Sequence, residues 1–303
     1  MSKIISVVPN ISEARNPAVI DRMVESLKQI PNLKILDISR DQTRNRTVIS
    51  FCGSKEAIFQ GGLALYRNAV DLIDMRQHQG QYPRIGALDV FPFVPLKDAT
   101  IEDAVAWSVE FAEKVAAEFN IPVYLFSESA RYPTRRELDN IREGEFEGLA
   151  VKMSDPRWQA DFGPGTMHST FGATIIGARY PLISFKAHFD SDDIDAVKKV
   201  DDSLNSLKHV AAHAGRNPET GKTQITVMIS NFRATPMYRV MESLRLEARR
   251  FGVTVQKVEL IGLIPEIAII DSALYYLGIR DFHPGQILEK RILAQLNEQF
   301  MLE

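Results

Sequence analysis

The chain has 303 residues, of which 45% are hydrophobic and 25% charged, the balance of a globular protein built as one large domain or two ordinary ones. Its formal net charge of −3 excludes the basic footprint of a nucleic-acid binder, and no apolar run approaches the ~18–20 residues that cross a bilayer. A single cysteine, Cys52, excludes an internal disulfide and a cysteine-rich zinc site. It falls in the apolar run TVISFCG and reads as a buried structural thiol. The opening residues lack the apolar core of a signal peptide, so a cytoplasmic protein is expected.

KIISVVP (3–9) reads as a first short strand. Asn16 followed by Pro17 supplies an N-cap and a proline at the first helical position, opening a helix to about Gln29. LKILDIS (33–39) alternates as a half-buried strand does, RDQTRN (40–45) is turn-like, and RTVISFC (46–52) is the next β-rich run. Ser54 caps a second predicted helix through Asp74, and VFPFVPL (90–96) follows as an apolar strand. Thr100 and Asp103 have the spacing of a capping box ahead of a helix to Phe119, after which IPVYLF (121–126) is another strand.

The second half repeats this order. LISFKAHF (182–189) is a predicted strand, and Asp192 is expected to cap a helix to about Leu207. HVAAH (209–213) and TQITVMIS (223–230) flank the turn-rich AGRNPETGK, a helix is predicted from Pro236 to Phe251, and TVQKVEL (254–260) closes the set. Two more helices are expected near 265–278 and 284–299. The fold class is therefore α+β: two ferredoxin-like β-α-β-β-α-β subdomains forming a cleft, the first with an extra helix and strand. The boundary is placed near 178–182, giving units of 1–180 and 181–303.

No phosphate-binding, nucleophile-elbow or metalloprotease motif is present. His209 and His213 have a helical metal spacing but lie on a strand-like segment, where four residues span about 13 Å, so no metal site is expected. Three stretches differ from ordinary scaffold. Arg40, Arg44 and Arg46 bunch in one turn, either a solvated turn or an anion-binding corner. HQGQYPRIGALD (78–89) packs His78, Tyr82 and Arg84 around a proline and two glycines. DFGPGTMHSTFGA (161–173) suits a loop whose backbone approaches a flat ligand, or a plain linker.

Taken in order, VPNISEARNPAVID, NRTV, HQGQYPRIGALDVFPFVP, IPVYLF, FGATIIGAR and EARRFGV…IGLIP resemble the formiminotransferase domain, or glutamate formimidoyltransferase, family over roughly residues 3–290. The resemblance implies a homodimer of two ferredoxin-like subdomains. It also implies transfer of a formimino group from N-formiminoglutamate to tetrahydrofolate as co-substrate, a one-carbon step of histidine degradation. A fused cyclodeaminase is not expected.

The family's folate-contacting segment falls on Gly163, Pro164, Gly165, Thr166, Met167, His168, Ser169, Thr170, Phe171 and Gly172. The flanking glycines match, whereas Met167, His168 and Ser169 replace a more apolar run. Arg46 and Arg84 stand at arginine positions and become candidates for gripping substrate carboxylates. Where members read H-x-G-E-H-P-R-M-G, with the second His as general base, this chain has Tyr82; His78 matches the first. Ser39 replaces an Asp, and Lys186 and His188 replace two Asn. A free phenol titrates near ~10, so only ~0.1% is ionised at pH 7, and the proton role falls to Tyr82 or to His188. Three readings follow: the formimino transferase with altered proton-transfer residues; a non-catalytic protein binding folate or an acidic metabolite; or an enzyme with a different substrate served by Tyr82, Lys186 and His188.

Overall fold

The computed structural model describes residues 3–217, 220–292 and 295. They divide into two compact units, Met1–Pro181 and Leu182–Glu303, each with its own hydrophobic core.

In the first unit, strands β1 (Ile5–Val7) and β2 (Asn10–Ile11) are two halves of one line interrupted at Val8 and Pro9. Helix α1 (Pro17–Lys28) starts as its capping signals predict, with the Asn16 side chain accepting from the Ala18 N–H. Strands β3 (Lys34–Asp41) and β4 (Arg46–Gly53) form a hairpin whose turn is shorter than expected, since Arg40 and Asp41 remain paired to Thr47 and Arg46. Helix α2 (Lys55–Leu72) is capped by Ser54, strand β5 spans Leu88–Pro95, and helix α3 (Ile101–Phe119) carries the Thr100–Asp103 capping box.

The addition to the β-α-β-β-α-β plan is larger than one helix and one strand. After β6 (Val123–Ser127) come two short helices, α4 (Leu138–Arg142) and α5 (Glu145–Met153), and a further strand, β7 (Thr174–Ala178). Strand order is β3, β4, β1/β2, β5, β7, β6, antiparallel up to β5 and parallel beyond it. Helices α1–α3 pack on one face of this sheet, around Phe51, Phe91, Phe93 and Phe111. A smaller core of Val90, Tyr124, Phe126, Ile141, Leu149 and Ile175 lies under α4 and α5 on the opposite face of the added strands. Along β4, Thr47, Ile49 and Phe51 are buried against the first layer. Alternation therefore turns Arg46, Val48, Ser50 and Cys52 to the other face, where Cys52 is half-buried and burial pushes its thiol up.

The second unit has β8 (Ile183–Phe189), α6 (Ile194–Asn205), β9 (Val210–Arg216), β10 (Thr223–Ile229), α7 (Met237–Arg250) and β11 (Val255–Ile261). Their antiparallel order, β11-β8-β10-β9, is the same 4-1-3-2 arrangement that the first four strand positions of unit one follow. Asp193, not Asp192, caps α6, accepting from the Asp195 and Ala196 N–H groups. Asp192 is occupied elsewhere, its carbonyl accepting from Arg216 and its carboxylate lying 3.3 Å from Lys222. Helix α8 (Glu266–Leu277) follows. Of the helix expected over 284–299, residues 284–286 form a 3-10 turn and 288–292 are helical, and beyond them only residue 295 is among the described residues. No helix among the described residues is long and apolar enough to cross a membrane.

Candidate active site

The α4/α5 layer covers the strands added beyond β5, and Tyr82 packs beside its edge. The Tyr82 hydroxyl accepts from Arg142 Nη1 at 3.2 Å, Arg142 being the last residue of α4. Above the phenol ring stands Arg46, 4.1 Å from its centroid, with Arg142 at 5.0 Å and Arg44 at 6.0 Å. Arg142 is itself fixed by Asp89, whose Oδ2 accepts from Nε at 3.0 Å and from Nη2 at 2.5 Å; both side chains are almost wholly buried. The other Asp89 oxygen accepts from the Ile85 N–H.

These charges set the acidity of the phenol. Burial raises the Tyr82 pKa, but the Arg142 and Arg46 charges and the hydrogen bonds from both guanidinium groups outweigh it, leaving the group below the ordinary tyrosine range. Arg44 has Asp41 at 3.7 Å and Arg142 has Asp89. Arg46 has no carboxylate within ion-pair distance among the described residues, and its buried Nε has no hydrogen-bond partner. Burial also lowers the Arg46 pKa. Arg179, just past β7, is held down to about 10 by burial and then by the Arg46 charge.

Arg84 and His78 are committed. Arg84 donates to Glu145 at 2.6 Å and to Glu147 at 2.7 and 2.8 Å, both on α5. Its Nε donates to His78 Nδ1 at 3.1 Å, so the imidazole proton lies on Nε2, which donates to the Asn45 carbonyl at 3.1 Å. Burial, then the Arg84 charge, keeps His78 below the usual histidine range. For Arg84 to grip a further carboxylate it would have to release one it already holds. Asn10, Ser12, Arg46, His78, Tyr82 and Asp89 line a cavity of about 10 Å³, room for about one water.

The 163–172 loop lies between β6 and β7, in the same unit. Its two ends require glycine. A Cβ on Gly163 (φ 89°) would lie 2.4 Å from the Ile121 carbonyl oxygen, and one on Gly172 (φ 86°) 2.1 Å from that of Ile85. Both matched glycines are thus demanded by the backbone, whatever the loop binds. Within the loop His168 and Gly172 exchange backbone hydrogen bonds at 2.8 and 2.9 Å, and His168 Nδ1 accepts from the Phe171 N–H. Gly163, Gly165, Thr166 and Ser169 are exposed, Pro164, Met167, His168 and Thr170 half-buried, and Phe171 and Gly172 buried. Met167 and Ser169 border an open hollow of about 460 Å³ with Met75, Arg76, Phe146 and Glu147, within the ordinary range for small-molecule sites.

The remaining candidates belong to the second unit. Lys186 and His188 stand two apart on the face of β8 turned away from α6 and α7, where Lys186 pairs with Thr226 and Glu259 and His188 with Gln224 and Lys257. His188 Nε2 lies 3.3 Å from Glu259 without a hydrogen bond. Ser39 is exposed on β3. Three residues central to the geometry escape a reading by motif. Arg142, Glu145 and Glu147 sit in REGEFEG, where two helices of 5 and 9 residues are too short for a hydrophobic period to register. Among the described residues, no three His, Cys, Asp or Glu come together to hold a metal ion.

Residues 4–179 match the family described as the formiminotransferase domain, N-terminal subdomain, and residues 186–292 match the formiminotransferase domain. A glutamate formimidoyltransferase of Streptococcus pyogenes serotype M1 is 39% identical over 299 residues, covering 97% of this chain and 100% of that one. A glutamate formimidoyltransferase of Thermoplasma acidophilum is 37% identical over 301 residues, covering 97% and 99%. The formimidoyltransferase-cyclodeaminase of Rattus norvegicus is 36% identical over 285 residues, 91% of this chain but 53% of that longer one. With both subdomains matched in order and relatives aligned nearly end to end, this chain belongs to the formiminotransferase family.

Proposed function

We propose that this chain transfers the formimino group of N-formiminoglutamate to tetrahydrofolate, acting as a homodimer. The observation that carries the reading is Arg46, a half-buried side chain over Tyr82 whose buried Nε has no partner and which has no carboxylate within ion-pair distance among the described residues. A desolvated guanidinium without a carboxylate partner is costly, and a ligand carboxylate would lower the cost. Formiminoglutamate carries two carboxylates and folate a glutamate tail, so the acidic substrates suit the site. The 163–172 loop and the hollow beside it are assigned to folate, and Lys186, on the second unit, to a ligand anion.

In the transfer, the formimino carbon bonds to the folate N5 and its bond to the glutamate nitrogen breaks. The proton leaving N5 ends on glutamate. Tyr82 is assigned this traffic: its phenolate takes the proton and the phenol returns it to the departing nitrogen. A positioned group of this kind contributes ~10²–10⁴-fold in rate. His188 is the alternative acceptor. The test is purified chain with formiminoglutamate and tetrahydrofolate; 5-formiminotetrahydrofolate should accumulate, and its absence would sink the reading. A second reading, a folate or acidic-metabolite binder without turnover, is favoured by one observation, the room for only about one water beside Tyr82. Saturable calorimetric binding of folinic acid without product would select it.

A further inference from the structure

We propose that Arg142 is a positioning residue for Tyr82: anchored by Asp89, it fixes the phenol oxygen as an acceptor and turns the hydroxyl proton away from itself, towards the cavity. The inference rests on the reading of Tyr82 as the proton-handling group.

The geometry separates Arg142 from the other arginines around the ring. All three of its guanidinium nitrogens are engaged, Nε and Nη2 by one carboxylate oxygen and Nη1 by the phenol. A guanidinium used in this way has little left for a substrate, whereas Arg46, which also reaches the phenol, has no carboxylate to anchor it and keeps its Nε unpartnered. The fork is planar and rigid, so fixing two of its nitrogens on Asp89 fixes where the third points. A lysine, with one nitrogen, could not hold the same two partners in the same relation. Asp89 is in turn held by the Ile85 N–H, three residues beyond Tyr82. The carboxylate therefore ties the segment bearing Tyr82 to the helix bearing Arg142.

The hydrogen bond also has a direction. Arginine only donates, so the Tyr82 oxygen accepts and its own proton points elsewhere. Loss of that proton leaves a phenolate still held by the same N–H. The charged groups lining the cavity are Arg44, Arg46, Arg84 and Asp89, with Arg142 on the phenol oxygen and His78 as the remaining titratable neighbour. Arg44 is paired with Asp41, Arg84 with Glu145 and Glu147, and Arg142 with Asp89, so what favours the anion is the nearness of Arg46 and Arg142 to the phenol.

The test reads the phenol directly. Tyrosinate absorbance is followed against pH in the parent and in Tyr82→Phe, whose difference isolates one of the eight tyrosines. The expected result is a step at lower pH than the other tyrosines, absent from Tyr82→Phe. That step should move to higher pH in Arg142→Gln. Because Arg142→Gln leaves Asp89 buried without its cation, the neutral pair Asp89→Asn/Arg142→Gln is measured as well, with near-ultraviolet circular dichroism reporting the fold. An upward move in every variant that folds supports the positioning role. A step that stays in place in a folded variant, or the absence of any such step in the parent, overturns it. Product formation does not enter this readout, so the transferase reading and the role of Arg142 can fail separately.

Discussion

Tyr82 illustrates how far neighbours can move a side chain from its free behaviour. Without them, a phenol is a weak base and a hydrogen-bond donor; between Arg46 and Arg142 it is held below its ordinary range. Tyr82→Phe should keep the ring contacts and lose the proton, so formimino transfer should fall by ~10²–10⁴-fold in kcat, at a stability cost of ~1–3 kcal/mol for the buried Arg142 Nη1 left without its acceptor; an unchanged kcat would remove Tyr82 from the chemistry. Arg46→Gln should weaken an acidic ligand by about 10–100-fold, the worth of ~1.5–3 kcal/mol in charge-assisted hydrogen bonding. It should not lower the melting temperature, because the side chain removed is a half-buried cation with a buried, unpartnered Nε and no carboxylate. Calorimetry and thermal unfolding on the same sample check both halves. Tyr82 and Arg46 were legible in the sequence because they sit in short quotable stretches. Arg142 was not: it lies 60 residues from Tyr82 and 53 from Asp89, and no local pattern records a meeting at that separation.

Among the elements, those with a chemical start signal were legible to within a residue or two. Asn16, Ser54 and Thr100 each accept a backbone N–H as N-caps, and polar side chains at those places have few other uses. Asp192 misled by adjacency, since two aspartates in a row offer the same cap and the hairpin's need for the first of them is a tertiary fact. Strand β7 has no assignment in the sequence because all five of its residues are buried; a strand covered on both faces has no alternation to detect. Its start depends on Gly172, where the chain passes against Ile85 and Gly86. Gly172→Ala should cost at least ~1–3 kcal/mol in chemical denaturation, since it combines a positive φ with a backbone clash. A smaller loss would mean that the segment shifts freely and that its glycine serves the ligand instead.

At the scale of the whole chain, the repeat was the most legible feature: two runs of the same element order predicted the same strand order, and both sheets have it. What the repeat conceals is that the first unit grew. The insertion after β5 brings in the second layer, α4 and α5, and with it Arg142, Glu145 and Glu147. The cores are separate, so a void in one should report on that one alone. Phe185→Ala, in the second core, should cost ~3–5 kcal/mol. Hydrogen exchange should speed up through Ile183–Phe189 and its partner strands while Leu88–Pro95 stays protected. Equal loss of protection in both would show a single cooperative unit.

The arginines around Tyr82 also bear on substitution by histidine. An imidazole introduced by Tyr82→His would have to accept a proton among Arg46, Arg142 and Arg44, whose charges stabilise an anion and oppose a cation. The single change should therefore yield a histidine that stays neutral well below the usual range, measurable by its ring-proton shifts against pH. A position whose surroundings favour one sign of charge does not accept a residue that must carry the other, unless the neighbours change with it.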